Sequence, residues 1–134
     1  FSLRGVLWYR PKSEGDIMTY VDVFMAAVPR EKKDEYIRHA TAFAAMFKRL
    51  GALAYSEAWA DDVPDGEVTS MPMAVQKKDD EDVVVAWTLW PDKQTRDDAW
   101  VKAETDPTMA EFGATMPFDG KRMIYGGFNQ IVSA

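Results

Sequence analysis

From Thr19 to Val28 the chain alternates, with Val21, Val23 and Met25 on one side and Tyr20, Asp22 and Phe24 on the other. A period of two predicts a strand. Pro29 ends it and suits the first turn of a helix. Over residues 30–50 the period lengthens: Tyr36, Ala40, Phe43, Phe47 and Leu50 fall at the three-four spacing of a helix with one buried face, and Gly51 is placed to cap it. Residues 52–60 return to alternation, with Leu53, Tyr55, Glu57 and Trp59 on one face of a second strand and Ala54, Ser56 and Ala58 on the other. Pro64-Asp65-Gly66 is a turn signal. Val68 to Val75, interrupted by Pro72, reads as an edge strand or an irregular arm. Val83 to Trp90 is almost continuously apolar, the pattern of a strand covered on both faces, and Pro91 stops it. A second helix over 92–105 uses Ala99, Trp100 and Ala103; Asp106-Pro107 breaks it, and 107–113 suggest a further short helical turn. Lys121 to Val132 is the last strand, where Gly126-Gly127 marks a bulge or a close backbone approach.

This order, β-α-β-(arm)-β-α-β, predicts an α+β fold: a ferredoxin-like βαββαβ antiparallel sheet with two helices on one face. The opposite sheet face is then bare and partly apolar, and pairing with the same face of a second copy would bury it. A homodimer is therefore expected, with Asp22, Phe24 and either Trp59 or Trp87 on the contact face. Residues 1–17 differ in character, since Arg4, Arg10 and Lys12 outnumber Glu14 and Asp16 in an otherwise acidic chain. They read as an N-terminal extension or leader, leaving 18–134 as a single domain. Within the extension, the β-favouring Val6, Trp8 and Tyr9 lead to the expectation that residues 5–10 add to a sheet edge or lie in a groove.

Composition narrows the function classes. A chain of 134 residues holds one core. No apolar run approaches the roughly 20 residues that span a bilayer, and no signal pattern opens the chain, so neither a membrane nor export is expected. Cysteine is absent, which removes disulfides, thiolate nucleophiles and thiolate metal sites and makes a reducing cytoplasm the simplest location. The net charge of −6 and the scattered basic residues argue against nucleic acid, which is held by clustered Lys and Arg. The acidic run Asp79-Asp80-Glu81-Asp82, preceded by Lys77-Lys78, reads as a solvated loop.

The candidate chemistry is sparse. His39 is the only histidine, so no His–His metal pair exists; it lies on the first helix near Tyr36, Phe43 and Met46 and reads as a rim residue that could still serve acid–base work. Glu57 shares its strand face with Tyr55 and Trp59, and a carboxylate on an apolar face needs a partner or its pKa rises. Arg122, Lys48 and Arg49 are the basic residues expected within reach. The candidate pocket is therefore Glu57, His39, Trp59, Trp87, Arg122 and Tyr125, lined by tryptophan and suited to a small-molecule ligand. No metal or cofactor is implied, because Gly126-Gly127 lacks the helix that a phosphate cradle requires. With no nucleophile–base pairing in view, a non-catalytic binding protein is favoured; a cofactor-free enzyme of monooxygenase or isomerase type using the helix–sheet cleft is the alternative.

Several segments carry a family likeness: Tyr20-Val21-Asp22, Gly51-Ala52-Leu53, residues 61–69, Val84 to Trp87, Asp106-Pro107 followed by Met109, and above all Met116 to Phe128, MPFDGKRMIYGGF. Over residues 18–132 the chain resembles the YbaA-like bacterial proteins, a family of uncharacterised function. The resemblance implies the dimeric α/β-barrel superfamily and a homodimer. It implies no reaction.

Overall fold

The computed structural model describes residues 19–134. The extension over 1–17, its boundary at Met18 and the segment 5–10 lie outside the described residues. The alternating segments form strands β1 (Tyr20–Pro29), β2 (Ala54–Trp59), β3 (Glu81–Trp90) and β4 (Ile124–Asn129). The described residues also form helices α1 (Lys33–Arg49), α2 (Met71–Ala74), α3 (Lys93–Ala103) and α4 (Pro107–Ala114). The sheet order is β2-β3-β1-β4, with every neighbouring pair antiparallel. β1 and β2 consequently run parallel to each other with β3 between them. The chain order is β-α-β-α-β-α-α-β: the helical turn expected over 107–113 forms α4, and the departure from the expected pattern is α2.

Local chemistry explains the boundaries. α1 ends where Gly51, at φ 117°, takes the left-handed region, so that Gly51 N–H reaches Lys48 O at 3.3 Å and Ala52 N–H reaches Phe47 O at 2.9 Å. Together these two bonds satisfy carbonyls of the helix's last turn. α3 starts on Asp92, whose side chain accepts from Thr95 N–H, and α4 on Asp106, which accepts from Thr108 N–H ahead of Pro107. The arm over 68–75 is not a strand: Ser70 accepts from Met73 N–H, Pro72 sits in the first turn, and the segment closes into α2.

Register decides which face is core. Tyr20, Asp22, Phe24, Ala26 and Val28 of β1 lie opposite Trp90, Thr88, Ala86, Val84 and Asp82 of β3. On this side Tyr20 and Trp90 pack with Met46, Phe47, Ala99 and Ala103 of α1 and α3, while Ala26, Val28 and Val84 pack with Tyr36 and Phe118. Phe24 is part of this layer, its ring edge-on to Phe118 at 6.0 Å. The expected face assignment is therefore inverted, and Asp22, Phe24 and Trp59 lie under the helices. The other face carries Val23, Trp87, Ile124 and Phe128, all exposed. Among the described residues one end of it is covered, where Val75, just after α2, packs on Ala27 and Val83. β3 is thus sealed on one face and half open on the other, short of the double cover its apolar run predicts. Gly126 and Gly127 pair in unbroken register with Val23 and Asp22, so there is no bulge. The close approach is real, because a Cβ on Gly127 would strike the Tyr20 ring and the Arg96 guanidinium.

Candidate functional site

α1 crosses the sheet beside the edge strand β2, and a cleft of about 350 Å³ opens between them. Its walls are Lys33, Tyr36, Ile37, Ala40, Thr41 and Ala44 of α1, Tyr55, Glu57 and Trp59 of β2, and Val84 of β3. The two periodicities build it. Residues 33, 37, 40/41 and 44 recur at the three-four spacing of one helix face, and 55, 57 and 59 share one face of a strand.

Glu57 is the polar centre of this cleft. Its Oε1 accepts from the Tyr36 hydroxyl and its Oε2 accepts from the Tyr55 hydroxyl at 2.5 Å. Partial burial pushes the carboxyl above its ordinary value of 4.5, an effect opposed by the two phenol hydrogen bonds, which favour the charged form. Burial, then the neighbouring carboxylate, push both phenols up. They remain neutral donors across the physiological range. No cation supports Glu57 among the described residues. The expected partners are engaged elsewhere: Lys48 donates to Leu53 O at 2.9 Å, Arg49 pairs with Asp106 at 3.1 Å, and Arg122 grips Glu81. Trp59 stands edge-on to Tyr36 at 6.1 Å and donates its indole N–H to Asp82 at 3.0 Å. The Lys33 ammonium sits 5.1 Å from the Trp59 ring centre at the cleft mouth.

Of the six candidate residues, the structure brings Glu57 and Trp59 together and separates the rest. His39 lies on another side of α1, in a groove with Phe43 and Phe112, its Nε2 3.2 Å from Thr115 Oγ1. Trp87 is on the open sheet face and Tyr125 is exposed on the edge strand β4. Arg122 makes two parallel bonds of 2.7 Å to Glu81, a third interaction with Asp119 at 3.0 Å, and donates to Gln76 O at 2.9 Å. Arg122 holds the Glu81 carboxyl below its ordinary value, mainly through these hydrogen bonds. The acidic run is thus no solvated loop throughout: Glu81 is 3% exposed, and Asp82 serves Trp59. Asp22, expected at a subunit contact, instead accepts from Arg96 at 2.8 and 3.1 Å, from the Trp90 indole at 2.9 Å and from the Trp100 indole at 3.1 Å. Tyr36 and Tyr55 are the site residues missing from the six candidates. Tyr55 was within reach of sequence reasoning, as it stands two positions from Glu57 on the same strand face.

The family model described as "Protein of unknown function (DUF1428)" matches residues 19–120, and the chain belongs to this family. The chain is 54% identical over 115 residues to the uncharacterized protein YbaA of Escherichia coli strain K12, an alignment covering 86% of this chain and 98% of that protein. The YbaA protein of Shigella flexneri aligns with the same identity and coverage. Among solved structures, the chain is similar to a conserved protein of unknown function from Bacteroides thetaiotaomicron VPI-5482, described as a "Possible Oxidoreductase". The TM-score is 0.53 at 16% identity, covering 87% of this chain and 100% of that one. At that identity the likeness speaks for the fold alone. The family likeness read from the sequence motifs is borne out, and these relatives carry no assigned reaction.

Proposed function

We propose that this chain is a homodimeric small-molecule-binding protein of the cytoplasm, in which residues 18–134 form one ferredoxin-like domain of the dimeric α/β-barrel kind and the α1–β2 cleft holds the ligand. The observation that carries the reading is Glu57: a carboxyl drawn into an apolar cleft, fixed by two phenols and left without a counter-charge among the described residues. A carboxyl kept only for stability is normally paired with a cation or solvated. One clamped by neutral donors at the floor of an open cleft is pre-organised for something that enters. The parallel strands β1 and β2, split by the antiparallel β3, support the ferredoxin-like plan. The exposed side chains of Val23, Trp87, Ile124 and Phe128 support burial of that face against a second copy.

A second reading, a cofactor-free enzyme, is favoured by the upward displacement of Glu57, which brings a carboxyl toward the range where it can exchange protons with a bound substrate. The oxidoreductase description of the Bacteroides protein bears on this reading only as analogy of fold.

The test is a thermal-shift screen of small metabolites and flat aromatics against the wild-type protein and Glu57→Gln. Ligands that occupy the cleft raise the melting temperature of the wild type by mass action and lose that effect in the variant. A screen in which every stabilising compound acts equally on both proteins would overturn the assignment of the cleft. Slow consumption of a hit by the wild type alone would select the enzymatic reading.

A further inference from the structure

We infer that the ligand of the α1–β2 cleft is a small organic cation, an amine or amidine attached to a flat or apolar body. The inference rests on the cleft being a ligand site and goes on to name what enters it. Each Glu57 oxygen receives one phenol hydrogen, and a carboxylate offers about four acceptor positions, so roughly half of its capacity is unspent. The phenols bring hydrogens but no charge. Among the described residues no further donor and no cation reaches the carboxyl, Lys33 standing over Trp59 at the mouth, and a protonated amine or amidine supplies the two together.

The walls agree. Three aromatic side chains, Tyr36, Tyr55 and Trp59, line the cleft around the carboxyl; the two tyrosines turn their hydroxyls to it, and an aromatic face such as that of Trp59 attracts a cation rather than an anion. Trp59 already does so within the chain, since the exposed Lys33 ammonium lies over its ring. Lys33 is also the one basic side chain among the lining residues. It stands at the mouth on a flexible stem and can swing into solvent when another cation takes the ring. The remaining walls, apart from Thr41, whose hydroxyl is spent on Ile37 O, are apolar and suit the body of the ligand. An anion would meet the carboxylate with only Lys33, out at the mouth, to offset it among the described residues, and a neutral ligand would leave its charge as it found it.

Three probes of nearly one shape separate these cases: benzamidine (cationic), benzamide (neutral) and benzoate (anionic). Each is titrated into the wild-type protein and Glu57→Gln, with the Trp59 indole N–H resonance as the readout. In the wild type benzamidine is expected to bind about tenfold to a hundredfold more tightly than benzamide, the worth of one charge-assisted hydrogen bond, with benzoate weakest. In Glu57→Gln the preference collapses. If benzamide or benzoate equals benzamidine in the wild type, the cation inference falls while the binding reading stands. If none of the three moves Trp59 at millimolar concentration, both fall.

Should the variant fail to fold, the wild type alone decides through pH. The groups facing Glu57 are Tyr36 and Lys33 from α1, Tyr55 and Trp59 from its own strand, and Val84 from β3, with Asp82 behind Trp59. Among the described residues lining the cleft Glu57 is the one carboxyl, and burial raises it, so it takes up its proton ahead of an ordinary carboxyl on acidification while the two phenols, pushed up, stay protonated. Benzamidine affinity must therefore weaken on acidification and benzamide affinity must hold. A benzamidine-to-benzamide ratio that does not change with pH overturns the inference.

Discussion

Tyr55 and Glu57 stand two residues apart on the edge strand β2, and the phenol of the first donates to Oε2 of the second at 2.5 Å. With Tyr36 holding the other oxygen from α1, the carboxyl is fixed to both layers of the fold at once. The consequence for pH follows from linkage. Glu57 is raised above its ordinary 4.5, so between that value and its folded pKa the native state holds more protons than the unfolded chain. Stability contributed by Glu57 is full below the window, falls as pH rises through it and is level above. Urea midpoints of the wild type and Glu57→Gln, from about pH 4 to about pH 8, should give a difference that drifts against the wild type as pH rises. A difference that stays flat or drifts the other way would contradict this.

Tyr55→Phe removes one of the two donors without changing shape. At neutral pH we expect a loss of about 1.5–3 kcal/mol, the range for a hydrogen bond to a charged group. At low pH the loss should shrink, because a protonated carboxyl has less need of a donor. The same substitution should push Glu57 further up, which carbon-13 NMR titration of its carboxyl reports directly.

Arg122→Met should cost about 3–5 kcal/mol in urea denaturation, because it strips the enclosed Glu81 carboxylate of the cation hydrogen-bonded to both its oxygens. The double replacement Glu81→Met with Arg122→Met should recover most of that loss. Glu81 is held below its ordinary 4.5, so the stability it contributes is present above that value and is lost as pH falls through its folded pKa. A single Arg122→Met variant as stable as the wild type would remove the pair from any account of this fold.

The open sheet face gives a test of assembly. Trp87→Asp places a charge among Val23, Ile124 and Phe128 without touching the helix-side core; the wild type should sediment as the proposed dimer and the variant as a folded monomer. Phe24→Asp should behave differently. Its side chain faces Phe118 beneath the helices, and an unpaired charge there should cost about 4 kcal/mol or more and unfold much of the protein. A monomeric wild type, or a dimer untouched by Trp87→Asp, would remove the proposed contact.

Periodicity made the major strands and helices legible, because twofold and 3.6-fold repeats are written in single residues. The facing of β1 was not legible. Tyr20 and Phe24 share their side with Asp22 whereas Val21, Val23 and Met25 are all apolar, so the one charge in the pattern spoke against the helix side, where Arg96 and two indoles in fact receive it. Helix α2 escaped because Pro72 spoke against a strand more loudly than Ser70 spoke for a cap, and a helix of 4 residues has no period to show. Glu57 was legible as a problem: a carboxylate in apolar company. Its solution was half legible, since Tyr55 shares its strand face while Tyr36 reaches it only through the placement of α1 on the sheet. Arg122 belongs to a different carboxylate from the one expected, because sequence gives the sign of a charge and leaves its partner to the turn at 119–122 and the start of β3.

The carboxylate of Asp22 has a consequence beyond structure. Its Oδ2 accepts from both the Trp90 indole and the Trp100 indole, yet Trp90 is 0% exposed and Trp100 is 40% exposed. Deuterium should therefore enter the two indole N–H groups on different clocks. Trp100 exchanges whenever α3 lifts locally, whereas Trp90 waits for the whole sheet to open. A single acceptor atom thus carries two natural reporters, one of breathing and one of global unfolding, and both can be followed in an unlabelled, unmutated protein.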